Sequence, residues 1–260
     1  MFALLSIEWL KLKKYRTFWV LLGLFVLLLP LWVYMIASGM LVLGGGGKGA
    51  PNLFGNAYSF PAVWSSLGFW GSIFVFFLSI LIIIITTNEY TFRTNRQNVI
   101  DGFTRTQFFH AKVLLVIVLS IFVTAYFFLL GTLFGRHFSG SFDGMFTDTS
   151  NVFYFFVLCL DYMGFALFLS FAIKKSGMAT GLFLLYCMII ESILKFAINH
   201  LLDTHYGDLL PLQCSDELLP FPLKLSQAEG LSKEIYLGAA LGWCAVYYFA
   251  GRAMLRRNDW

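Results

Sequence analysis

Six apolar runs, each close to the ~20 residues that a helix needs to cross a bilayer, constrain this chain more than any other feature of it. They cover Phe18–Ser38, Ser65–Thr86, Val113–Gly135, Val152–Ile173, Gly177–Asn199 and Ile235–Gly251. Lipid offers backbone groups no hydrogen-bond partners, so a span must be a helix or part of a closed barrel. These runs are continuously apolar rather than alternating, which predicts helices. Soluble domains carry about 25% charged residues; this chain has 12%, and 59% of it is hydrophobic. The longest connection, His200–Glu234, leaves no room for a soluble domain. The expectation is an all-α membrane protein, with an amphipathic helix over residues 1–16 and one six-helix domain over residues 17–260.

Lys and Arg concentrate in cytoplasmic connections, which orients the spans. Lys11, Lys13, Lys14 and Arg16 precede the first span, and Arg93, Arg96, Arg105 and Lys112 lie between the second and third. Lys174 and Lys175 join the fourth and fifth, and Arg252, Arg256 and Arg257 follow the sixth. All fall on one side, so both termini are expected in the cytoplasm. The net charge of +4 reflects that bias and calls for no nucleic acid. Three of the four cysteines, Cys159, Cys187 and Cys244, sit within spans, so an extracytoplasmic disulfide within the chain is not expected. The first apolar run is too long for a signal peptide core of ~7–15 residues and is read as a retained span.

In the first 16 residues Phe2, Leu5, Trp9 and Leu12 recur at three- and four-residue spacing, marking one face of a helix. A basic helix with Trp on its apolar face lies in the headgroup plane. The outer string Gly44–Lys48 is not a phosphate loop, since Val42 and Gly49 stand where that motif needs Gly and Ser or Thr. Between the second and third spans lies a polar, basic island, Thr87–Lys112. Gly102 can end a short helix over Arg93–Asp101, and Thr104 with Gln107 fits a capping box opening the next helix. The last outer connection is rich in leucine, and Pro211, Pro220 and Pro222 prevent one long helix. It either dips back among the spans or lies along the outer surface.

Asp161 falls near the middle of the fourth span, where a carboxylate costs at least ~2.5 kcal/mol. It serves either a function or a hydrogen bond to a neighbouring helix. Glu191 and Lys195 are spaced to pair along one face of the fifth span. Gly131/Gly135, Gly177/Gly181 and Gly238/Gly242 permit close helix contact. No hydrolase or metalloprotease motif is present, and His200, Asp203 and His205 have no spacing that fixes a metal geometry.

Several strings together resemble type-2 ABC transporter permeases, the small six-span bacterial kind that includes bacitracin and lantibiotic-immunity permeases. They are Glu8-x-x-Lys11-x-Lys13, Phe60-Pro61-x-Val63-Trp64, Asn88-Glu89-Tyr90, Thr94-x-Arg96-Gln97-Asn98, Ile100-Asp101-Gly102, Arg105-x-x-Phe108 and the closing Arg256-Arg257-Asn258-Asp259. The resemblance implies a bacterial cytoplasmic-membrane subunit, paired with a second permease and driven by separate ATPase subunits that hold ATP and Mg²⁺. It implies no catalytic site, cofactor or metal in this chain. It also implies that a coupling helix around Asn95–Gly102 seats in the ATPase, with Glu89, Arg93, Arg96, Gln97, Asn98, Asp101, Gly102 and Arg105 as coupling residues. The N-terminal helix would be the interfacial connecting helix, and the Leu/Pro-rich connection a re-entrant segment. The expected cargo is an amphipathic peptide, antibiotic or lipid-like molecule moving outward. An intramembrane enzyme built on Asp161 or the histidine cluster, and an anchor or sensor recruiting a cytosolic protein, are the alternatives.

Overall fold

A computed structural model describes residues 2–40, 57–94, 104–221 and 230–257. Among the described residues there are helices and no strands. Helix α1 (Phe2–Lys13) leads through a short break into α2 (Arg16–Ala37); α3 (Val63–Thr91), α4 (Arg105–Ser139) and α5 (Ser150–Ile173) follow. The fifth apolar run is one 27-residue rod, Ser176–Leu202. It comprises α6 (Ser176–Leu185), a π turn (Tyr186–Ile190) and α7 (Glu191–Leu202). A 3₁₀ turn (Tyr206–Leu209) and a one-turn helix α8 (Gln213–Asp216) precede α9 (Lys233–Arg257).

Five helices, α2, α3, α4, α5 and the α6–α7 rod, are long and apolar enough to cross a membrane. The sixth expected span coincides with α9, which has the length at 25 residues. Its apolar surface is broken by Gly238, Gly242, Trp243, Tyr247, Tyr248 and Arg252, which lowers its mean hydropathy below that of the other five.

Helix α5 forms the centre, packed against α3, α4 and α9. Phe155, Leu158, Cys159, Met163 and Ala166 on it have no exposed surface, and Phe155 stacks on Phe127 of α4 with centroids 4.3 Å apart. The Phe60–Trp64 string locks α3 to α4. Phe60 N–H donates to Ser139 Oγ (2.8 Å) and Trp64 Nε1 to the Met145 carbonyl (3.0 Å). Their rings fill the space left by Gly131 and Gly135, where any Cβ would overlap them. The close contact that these glycines permit is therefore with aromatic rings inside the chain. Around Gly177, Gly181, Gly238 and Gly242 the space is open.

The Leu/Pro-rich connection folds inward rather than lying across the helix ends. Leu212, Cys214, Leu218 and Leu219 are buried, and Leu219 presses on α3 at Gly68, 2.8 Å from where a Cβ would stand. The hydroxyl of Tyr162, about halfway along α5, donates to both carboxylate oxygens of Asp216 at 2.9 Å. Twelve residues from the start of α5, that is roughly 18 Å below the helix end.

Candidate coupling joint

The N-terminal helix turns an unexpected face inward. Leu12 of the expected apolar stripe is buried, but Trp9 is half exposed, and the inward companion of Leu12 is Glu8. Trp9 instead sets its edge against Phe18 and Trp19 on α2. The side chains of residues 2–5, including Phe2 and Leu5, lie outside the described set. Helical periodicity reads apolarity alone, and here a cation on another helix decides the orientation.

That cation is Lys112. The sequence places it at the edge of an apolar run, as one more basic flank residue. In the fold it lies on the buried side of α4 with Phe108, Phe109, Leu115, Val116 and Leu119, and it is 1% exposed. Its Nζ donates to Glu8 Oε2 at 2.7 Å and to Glu89 Oε1, near the end of α3, at 2.5 Å. Lys11 closes the cluster from α1, reaching Glu8 at 3.3 Å and Glu89 at 3.1 Å. Burial alone would raise the Glu8 carboxyl, but Lys112 and Lys11 hold its pKa below the ordinary value. Next to Glu89, Asn88 Nδ2 donates to Tyr15 Oη at 2.7 Å, binding α3 to the break between α1 and α2. Buried charges need partners of this kind, since an unpaired ion in a low-dielectric interior is strongly disfavoured.

Three helices thus meet at one ionic knot, which joins the two ends of the polar island between α3 and α4. Where the island re-enters the bundle, the capping box is formed. Gln107 N–H donates to Thr104 Oγ1 (3.2 Å), and Gln107 Oε1 accepts the Thr104 N–H (2.8 Å). Arg93, with φ 57°, and Arg105, the first residue of α4, both face outward. Arg96, Gln97, Asn98, Asp101 and Gly102, and with them the short helix ended by Gly102, lie outside the described residues.

At the opposite end of the bundle, Glu191 and Lys195 differ from the expected helix-face pair. Glu191 Oε1 accepts the backbone N–H groups of Leu212 (2.7 Å) and Gln213 (3.3 Å). Lys195 binds Asp208 at 3.2 Å and Glu217. One turn further, Asn199 accepts the Gly207 N–H at 2.6 Å and donates to Asp208 at 3.0 Å. Spacing alone suggests a local pair, but the inward-folded segment offers these three residues stronger partners. Asp161 has no exposed surface, with Ser215 and Tyr247 beside it, and neither carboxylate oxygen has a hydrogen-bond partner among the described residues. Among the described residues no group of three His, Cys, Asp or Glu side chains is placed to hold a metal ion.

The sequence model of a family described as ABC-2 family transporter protein matches residues 4–190. No curated protein matches the chain. The match takes in α1, the ionic knot, the island and the first four long apolar helices. The chain is a multi-pass membrane protein and belongs to the ABC-2 transporter permease family.

Proposed function

We propose that this chain is the six-span permease subunit of an ATP-driven exporter, coupled to separate ATPase subunits that bind ATP and Mg²⁺. The observation that carries the coupling assignment is the Glu8–Lys112–Glu89 knot. It ties α1 to both helices that flank residues 92–104, so a force applied to that island reaches three helices together. A partner pushing there moves the joined ends of α1, α3 and α4 together.

Both termini and the island face the cytoplasm of a bacterial inner membrane, consistent with their Lys and Arg content. A second permease subunit, identical or a sister, covers the α6–α7 rod. Met178, Leu182, Leu185, Met188, Ile189, Ile193 and Phe196 stand exposed there, and the glycines of α6 have nothing against them. Between the subunits passes an amphipathic peptide, antibiotic or lipid-like cargo, which the 19% aromatic content of the chain suits.

Co-purification from native membranes tests the assignment: a stoichiometric ATPase supports it, and its reproducible absence refutes it. In the reconstituted complex, Glu89→Ala and Arg96→Ala are expected to leave ATP hydrolysis running while transport falls. Unchanged transport in both variants would remove the island from the coupling route.

A further inference from the structure

We propose that the cleft between α4, α5 and α9 holds one acyl chain of an anionic phospholipid, whose phosphate is bound by Arg252. The cleft is lined by Val113 and Ile117 of α4, Gly164 and Phe168 of α5, and Cys244 and Tyr248 of α9. Its floor runs along α5 from Leu160 to Phe171. At 1.5 Å per residue that is ~16 Å, close to the ~15 Å depth of one hydrocarbon leaflet. Gly164 leaves this part of the floor without a side chain, and the Tyr247 ring lies 3.5 Å from where a Cβ would stand.

The cleft's polar end gives the occupant its head. On α9, Cys244, Tyr248 and Arg252 follow one another at four-residue spacing, so Arg252 stands one turn beyond the cleft. That turn lies at the α1 end of the bundle, where Tyr248 Oη meets His110 Nε2 at 3.0 Å. Arg252 Nε is enclosed by protein and has no hydrogen-bond partner among the described residues. Among the described residues no carboxylate comes within ion-pair reach of Arg252, while Glu8 and Glu89 are committed to Lys112 and Lys11. A guanidinium fork matches a phosphate in geometry and charge. An apolar slot one leaflet deep, ending at a guanidinium that no described carboxylate pairs, selects a molecule with a hydrocarbon tail and a net negative head.

The test is native mass spectrometry of the purified full-length chain. The chain is offered equimolar phosphatidylglycerol and phosphatidylethanolamine with identical acyl chains. One phosphatidylglycerol per chain should survive detergent release, preferred about fivefold, the scale of one basic residue facing anionic lipid. Arg252→Gln should abolish the preference, and Ile117→Trp, at the exposed rim of the cleft, should abolish retention of both lipids. No preference in the unmodified chain, a preference that persists in Arg252→Gln, or a retained lipid in a folded Ile117→Trp variant would overturn the proposal. Should Arg252→Gln prove too unstable to purify, Arg252→Met, which keeps the buried stem and removes the charge, takes its place.

Discussion

Replacing Lys112 with Met, which has similar length and no charge, would leave Glu8 and Glu89 facing each other with side chains 4% and 8% exposed. Removing one partner of a buried ion pair costs about 3–5 kcal/mol, because the stranded charge remains. Lys11 reaches both carboxylates from a more exposed position, which puts the expected loss at the lower end, ~3 kcal/mol. A chain of this size loses about 2–4 °C of melting temperature per kcal/mol, so the detergent-solubilised variant should melt roughly 6–12 °C lower. Tryptophan fluorescence during heating reads this directly. The decisive control replaces Glu8, Glu89 and Lys112 all with Met, since whole buried ion clusters exchanged for apolar side chains are often neutral or stabilising. The triple variant should recover most of the loss. An unchanged melting temperature in Lys112→Met, or a triple variant as unstable as the single one, would refute the view that stranded charge is what the knot prevents.

Acid should loosen the same joint. The folded Glu8 pKa is depressed below its ordinary value of about 4.5, so its contribution is present above that value and is lost as pH falls through the folded pKa. A spin label at exposed Leu10 should become more mobile over that interval, and the change should vanish in Glu8→Gln. Glu191→Ala strands the N–H groups of Leu212 and Gln213, at about 1–3 kcal/mol for a buried unsatisfied donor, whereas Glu191→Gln keeps the accepting oxygen. Maleimide labelling of buried Cys214 should accelerate in the alanine variant and not in the glutamine one. Gly131→Ala must push the Trp64 ring aside, so overpacking should lower stability by about 1–3 kcal/mol. Gly238→Ala, in open space within α9, should raise the thermal stability of the isolated chain by up to about 1 kcal/mol.

The helical bundle was readable from the runs because continuous apolarity dictates a span before any packing is known. Thr104 and Gln107 were equally readable, since a capping box is a local arrangement of four residues. Lys112 was not, because a lysine at the edge of an apolar run looks like a topogenic flank. Its partner Glu8 is 104 residues away. Glu191 and Lys195 showed a spacing that fits a pair, and only the inward fold of residues 206–217 supplied better acceptors and donors. The N-terminal helix shows the limit from another side, because periodicity ranks faces by apolarity while a buried cation can select a carboxylate-bearing face.

The π turn at Tyr186–Ile190 sets the phase of everything beyond it on the same rod. Glu191 N–H reaches back five residues to the Tyr186 carbonyl, so this turn contains one residue more than an α-helical turn. Because the wide turn absorbs its extra residue locally, deleting that residue would leave a plain α-helical turn with Glu191, Lys195 and Asn199 close to their present phase relative to α6. The same one-residue deletion within α6 would rotate all three by ~100°, one residue's share of a 3.6-residue turn, and break every grip on the 206–217 segment at once. The rod should therefore tolerate shortening at 186–190 and not within α6. Conversely, a helix that shifted the turn's extra residue along its length would swing the outer segment without breaking the rod.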